Sequence, residues 1–271
     1  MKTILVATDF SPASSSALLY GVQFAEALNA KVILFHAYSI PPSIPALSIS
    51  ISKYGVMLET KQQLDDYAKL ILKEKASYIE TVCEVGNPKE AIISMAKEKK
   101  ADLIITGMKG EGKNFKKVFG STATSLTSGT NVPVLIIPEE ATFTMADIIV
   151  FASEGGGNPL SEDMEKFKVI KEAFHATVFV VNVIKKDDSE HLKFSQNAEE
   201  EKYLDISFEY PVDADISHGL DAFIKKHDVQ MLVMMPHKHD WAERLFKRSE
   251  TQDMIFHTHI PLLILPDTHD L

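Results

Sequence analysis

The chain has 271 residues, room for two domains of ordinary size, and its 45% hydrophobic and 24% charged residues are values of a globular protein. A formal net charge of −10 weighs against a protein that lives on nucleic acid or on an anionic membrane, since both would repel it. One cysteine, Cys83, excludes an internal disulfide and fits a reducing compartment. Met1-Lys2-Thr3-Ile4-Leu5-Val6 enters a strand-length apolar run without the h-region of a signal peptide, so a cytoplasmic protein is expected.

The first predicted strand is Ile4 to Ala7, followed by Thr8-Asp9-Phe10-Ser11-Pro12. Ser11 before Pro12 reads as an N-cap and a favoured first helical residue. Ala17, Leu18, Gly21, Phe24, Ala25 and Leu28 then recur at helical spacing up to Asn29. Val32 to Ala37 is a second strand. Pro41 to Ser52, with three prolines, reads as a loop, and a charged helix is expected from about Met57 to Ala76. Ile79 to Val85 is a third strand, and Asn87-Pro88 opens a helix through Met95. Leu103 to Thr106 is a fourth strand, and Gly107 to Gly120 is a glycine-punctuated loop. A short helix from Ser121 to Ser128, stopped by Gly129, leads into a fifth strand, Val132 to Ile137. Strands alternating with helices predict a parallel sheet covered on both faces.

The pattern then repeats. Asp147-Ile148-Ile149-Val150-Phe151-Ala152 restates Thr3-Ile4-Leu5-Val6-Ala7-Thr8, and Ala176 to Val183 restates Ala30 to Ala37. Leu232-Val233-Met234-Met235 falls where Leu103-Ile104-Ile105-Thr106 fell. Thr258 to Pro266 restates Thr130 to Pro138. A repeat this long implies duplicated domains, 1–140 and 146–271, joined by a short linker. The fold class expected is α/β, two tandem domains, each a five-stranded parallel sheet with helices on both faces.

The sharpest chemical signal is Gly107-Met108-Lys109-Gly110, nine residues, then Gly120-Ser121. Glycines let backbone N–H groups approach a phosphate, and Gly120-Ser121 would put a helix N-terminus behind them. Ser121, Thr122 and Thr124 offer hydroxyls, and Lys109, Lys113, Lys116 and Lys117 make this the most basic stretch of the chain. The same residues also suit a plain loop with a solvated lysine face. Gly107 and Gly112-Lys113 imitate the start of a P-loop, but Asn114 stands where the magnesium-binding hydroxyl would be, and the loop follows the fourth strand rather than the first.

Taken with Ala7-Thr8-Asp9-Phe10-Ser11 and Asn131-Val132-Pro133-Val134-Leu135, this spaced glycine motif resembles the universal stress protein family over nearly the whole chain. The resemblance implies the adenine nucleotide alpha hydrolase-like fold and binding of ATP, with or without Mg2+. It counts Thr8 among the binding residues and places Asp9 at the ribose and the backbone around His36 and Ala37 at the adenine. Gly107, Lys109, Gly110, Gly120, Ser121 and Thr122 would meet the phosphates. It also implies a pseudo-dimer of the two halves through Val132–Ile137 and Ile260–Leu265, and a homodimer of whole chains. From the residues alone, Asp9 reads rather as a helix-start cap.

The second half lacks the motif. Arg248-Ser249 aligns with Gly120-Ser121, Pro236 and His239 with Gly107 and Gly110, and Ser153 or Glu154 with Asp9. Glu154-Gly155-Gly156-Gly157 is glycine-rich but comes after the first strand. His237/His239 and His257/His259 tempt one towards a metal site. They belong to opposite strand ends, roughly 15 Å apart at ~3.3 Å per residue, so no shared metal is expected. The reading is an ATP-binding regulatory protein with one site, in the first half. A weak ATPase or phosphotransferase, and a nucleotide-independent scaffold recruiting partners through Ile40 to Ile51, remain as alternatives.

Overall fold

The computed structural model describes residues 1–39, 49–108, 121–127, 129–152, 164–185, 206–235 and 259–266. These fall into two compact units, the first ending at Phe143 and the second starting at Thr144.

In the first unit, β1 (Thr3–Ala7), β2 (Lys31–Tyr38), β3 (Glu80–Val85), β4 (Leu103–Met108) and β5 (Val134–Pro138) form one parallel sheet in the order β3-β2-β1-β4-β5. Helices α1 (Pro12–Ala27) and α2 (Ile49–Leu72) carry the chain from β1 outwards to β3. Helices α3 (Pro88–Glu98) and α4 (Ser121–Thr127) carry it back towards β5. Right-handed crossovers running in opposite directions put the two helix pairs on opposite faces. That is why Ile4, Leu5, Val6, Leu34, Phe35, Ile104 and Ile105 are all buried. A strand covered on both sides has no polar face to show, and its sequence reads as a continuous apolar run.

Three expectations need correction. The stretch expected as a loop to Ser52 is already helical from Ile49, and α2 ends at Leu72 rather than Ala76. Lys73, at φ 54°, takes the left-handed conformation that stops it, and a 3-10 turn (Lys73–Tyr78) comes next. No glycine or proline separates Ile49 from Tyr54, so the helix had no local reason to wait for the charged segment. Finally, Gly107 lies inside β4, not in the loop after it. The apolar segment 40–48 lies outside the described residues.

The second unit contains β6 (Ile148–Ala152), α5 (Glu165–Phe174), β7 (Thr177–Val181), β8 (Ile184–Lys185), β9 (Ile206–Glu209), β10 (Val212–Asp213), α6 (Ile216–Lys226), β11 (Met231–Met234) and β12 (Leu262–Ile264). Its parallel sheet runs β12-β11-β6-β7-β9, the same order as the first unit's β5-β4-β1-β2-β3. β8 and β10 pair beyond the ends of β7 and β9. Among the described residues of either unit, no helix is long and apolar enough to cross a membrane.

A small electrostatic clasp starts α6. The Asp215 carboxylate caps the helix by accepting from His218 N–H at 2.8 Å, and the His218 ring Nδ1 meets Asp213 Oδ2 at 2.8 Å. The hydrogen bond to Asp213 raises the His218 pKa above its ordinary value of 6.5, and the same bond lowers that of Asp213 below 3.8. A raised histidine stabilises the fold below the unfolded pKa and loses that contribution as pH rises through the folded one. A depressed aspartate contributes above 3.8 and loses its share as pH falls through the folded value. The clasp is therefore complete between pH 3.8 and 6.5. NMR titration of the His218 ring should give a midpoint above 6.5 that falls back in Asp213→Asn. An unshifted midpoint in the wild type would count against the clasp.

Candidate functional site

In an open α/β sheet a ligand crevice forms outside the carboxyl ends of the strands where the strand order reverses. Here the chain leaves β1 towards β2 on one side, while β4 stands on the other, so the reversal lies between β1 and β4. Thr8 and Asp9 leave β1 at that point, and Gly107 and Met108 end β4 beside them. His36 and Ala37 lie one strand over, past the pairing of Ala7 with Phe35. Ser121 and Thr122 open α4, which packs on β4 and β5. Four elements thus bring the described members of the expected set to one end of one sheet. Lys109, Gly110 and Gly120 lie outside the described residues, as does the side chain of Ser121.

The turn from Thr8 to Ser15 is built by its hydroxyls. Ser11 caps α1, its Oγ accepting from Ser14 N–H at 3.2 Å, with Pro12 as the first helical residue. The cap role is therefore filled by Ser11. Asp9 Oδ1 accepts instead from Ser11 N–H at 3.1 Å, closing a local turn that leaves the residue exposed. Nearby protein atoms strip water from the Asp9 carboxyl and push its pKa up, but hydrogen bonds from Ser11 outweigh this and hold it below 3.8. At neutral pH the crevice therefore presents an anionic acceptor, suited to hydroxyl donors.

Thr8 is buried and anchors the rest of the turn. Its Oγ1 accepts from Phe10 N–H at 3.0 Å and meets Ser14 Oγ at 3.0 Å. Ser14 Oγ also lies 3.0 Å from the Ser11 carbonyl oxygen, tying Thr8 to the first turn of α1. The Thr8 carbonyl accepts from His36 Nδ1 at 2.8 Å. A carbonyl can only accept, so in the neutral imidazole Nε2 is left as an acceptor.

Phe10 carries the strain of the turn. Its φ of 65° lies in the left-handed region, which costs a residue with a Cβ roughly 1–2 kcal/mol. Its ring lies on the His36 ring, centroids 4.4 Å apart, and meets Tyr67 of α2 edge-on at 5.1 Å. Sequence reading missed Phe10, Ser14, Ser15 and Tyr67. An aromatic residue inside a polar turn was a usable signal for Phe10. Tyr67 had none, because the contact joins residues far apart in the chain.

Gly107 has a packing reason independent of any ligand. A Cβ there would fall against the Ala13 carbonyl oxygen, 2.5 Å from the carbonyl carbon and 2.9 Å from Ser14 N. The first turn of α1 is thus seated directly on β4.

Strand register corrects the internal alignment by one residue. Ala152 pairs with Val181 as Ala7 pairs with Phe35, so Ala152 corresponds to Ala7 rather than to Thr8. Val233 pairs with Phe151 as Ile105 pairs with Val6. Hence Met235, buried, and not Pro236, stands where Gly107 stands in the first unit. By the same register Glu154, outside the described residues, is the counterpart of Asp9, and Asn182 is that of His36. His237, His239 and His257 also lie outside the described residues.

Comparison with known proteins bears on the same residues. The model of the universal stress protein family matches residues 1–138. Stress response protein NhaX of Bacillus subtilis is 27% identical in an alignment of 159 residues that covers 49% of this chain and 96% of that protein. A universal stress protein structure from Archaeoglobus fulgidus matches at a TM-score of 0.72 with 15% identity, over 97% of this chain and 98% of its own, a likeness of fold. A universal stress protein solved in complex with cAMP is 28% identical over 50% of this chain and 96% of its own, at a TM-score of 0.36. The family match spans the turn after β1, the end of β2 and the strands on either side of the glycine motif, and it covers half the chain: this protein belongs to the universal stress protein family.

Proposed function

We propose that the protein is an ATP-binding regulatory protein of stress response that holds one nucleotide, in its first unit. The observation that carries this reading is the ionised, exposed Asp9 held at the reversal of strand order, between the end of β2 and the end of β4. A carboxylate accepts from vicinal hydroxyls, which gives it a ribose to hold. His36 and Ala37, beside it, would line the base. Gly107, Lys109, Gly110, Gly120, Ser121 and Thr122 would lie along the phosphates, where bare backbone and positive charge suit an anion. A bound Mg2+ would neutralise phosphate charge. The second unit carries Met235 and Arg248 at the aligned glycine positions and would not bind ATP in this way.

No base is paired with a nucleophile among the described residues of this group, so the nucleotide is read as a signal rather than a substrate. Binding then acts by favouring one of two conformational or assembly states. An intramolecular pseudo-dimer through Val132–Ile137 and Ile260–Leu265, a homodimer of whole chains and a cytoplasmic location belong to the same proposal.

Calorimetry with ATP, and with cAMP as competitor, tests it on the full chain. One ATP per chain is expected, abolished in Gly110→Val and in Gly120→Arg, and unchanged in His239→Ala. Two equivalent sites, or undiminished binding by Gly120→Arg, would refute the division between the halves. Single-turnover hydrolysis faster than free ATP would favour the ATPase alternative.

A further inference from the structure

The left-handed Phe10 sits between the two residues that open the site, Asp9 before it and Ser11 after it, so its conformation sets where the Asp9 carboxylate points. Three contacts hold it there. One is local, from Phe10 N–H to Thr8 Oγ1. The other two clasp the ring, His36 from β2 and Tyr67 from α2. Tyr67 is itself tied down: its hydroxyl lies 2.8 Å from Ser15 Oγ. Ser15 Oγ also lies 3.0 Å from the Ser11 carbonyl oxygen, which joins this contact to the start of α1. A residue of α2 therefore grips the Asp9 turn twice, once through the Phe10 ring and once through the first turn of α1.

We infer that Tyr67 is a positioning residue of the nucleotide site, which holds Phe10 in its left-handed conformation and so aims the Asp9 carboxylate at the ribose hydroxyls. This rests on reading the crevice as a nucleotide site. Without the edge-on ring Phe10 is free to relax towards negative φ, where an L-residue is at ease, and Asp9 turns with it. The loss belongs to the hydroxyl contact and spares the phosphate end of the ligand.

The test compares ATP with 2′,3′-dideoxy-ATP by calorimetry on the full chain. Tyr67→Ala should weaken ATP by about tenfold, the scale of one aromatic pair, and leave dideoxy-ATP at its wild-type affinity. Tyr67→Phe, which keeps the ring and loses the bond to Ser15, should retain most of the ATP affinity. Equal losses for both nucleotides, or an unweakened ATP affinity in Tyr67→Ala, would overturn the inference. A readout without ligand separates it from the functional proposal. NMR titration should find the Asp9 carboxyl below 3.8 in the wild type and nearer 3.8 in Tyr67→Ala. If the wild type binds no nucleotide the functional proposal falls, and an Asp9 titration unmoved by Tyr67→Ala would by itself remove the positioning role.

Discussion

Gly107→Ala is expected to destabilise the protein by about 3 kcal/mol, although an alanine in a strand ordinarily gains about 0.5–1 kcal/mol over glycine. The sign turns on what the new methyl group meets. Its neighbours are the backbone of Ala13 and Ser14, with the Ala13 carbonyl carbon at 2.5 Å, and backbone cannot swing aside like the end of a flexible side chain. Helix α1 cannot simply lift, because Gly21 already seats it closely on the sheet, with Val6 Cγ2 at 3.0 Å and Ile105 Cδ1 at 3.3 Å from a Cβ there. The strain must spread into two packed layers. Urea unfolding monitored by circular dichroism should show a lower midpoint at unchanged slope. A variant as stable as the wild type would show that α1 has room to move.

Thr8→Val should cost about 2–3 kcal/mol and weaken ATP binding together. Valine keeps the branched shape, so no cavity is opened and the whole effect is polar. It removes the acceptor of Phe10 N–H and the partner of Ser14 Oγ in a buried position, and each such group left without a partner costs roughly 1 kcal/mol or more. Thr8→Ser keeps the oxygen and should lose well under half as much. Thermal unfolding and ATP calorimetry on the two variants decide the matter. Equal losses in Val and Ser would assign the effect to packing of the methyl group.

Much of the architecture was legible because it derives from local chemistry. Ser11-Pro12 and Asn87-Pro88 marked helix starts that the side-chain caps fulfil, and buried runs such as Leu103 to Thr106 marked the strands. Register between the two halves was not legible to the residue. In a strand buried on both faces, Ile, Leu and Val succeed one another without alternation, and a one-residue slide leaves the hydrophobic pattern intact. Only the pairing of Ala152 with Val181 and of Phe151 with Val233 removes the ambiguity. The site was legible where it is local, in Thr8-Asp9-Phe10-Ser11. It was illegible where α2 and β2 reach across to clasp Phe10, since nothing in the spacing of Tyr67 or His36 marks a partner. Gly107 was noticed for the right residue type, yet its contact with α1 depends on how close a helix comes to a sheet, a distance that no residue pattern encodes.

The substitution of Met235 for Gly107 has a packing consequence. In the first unit a helix of 16 residues starts directly over the glycine. A helix start seated as closely on β11 as α1 sits on β4 would collide with the Met235 Cβ, so close seating and glycine go together. A mutation that restored the glycine alone would leave a hole where a buried methionine now packs, at a cost of roughly 2–5 kcal/mol. A helix start brought that close with Met235 in place would clash. The identity of this one strand residue is therefore coupled to how closely a helix may sit on the strand, so that neither can change alone without cost, whichever changes first.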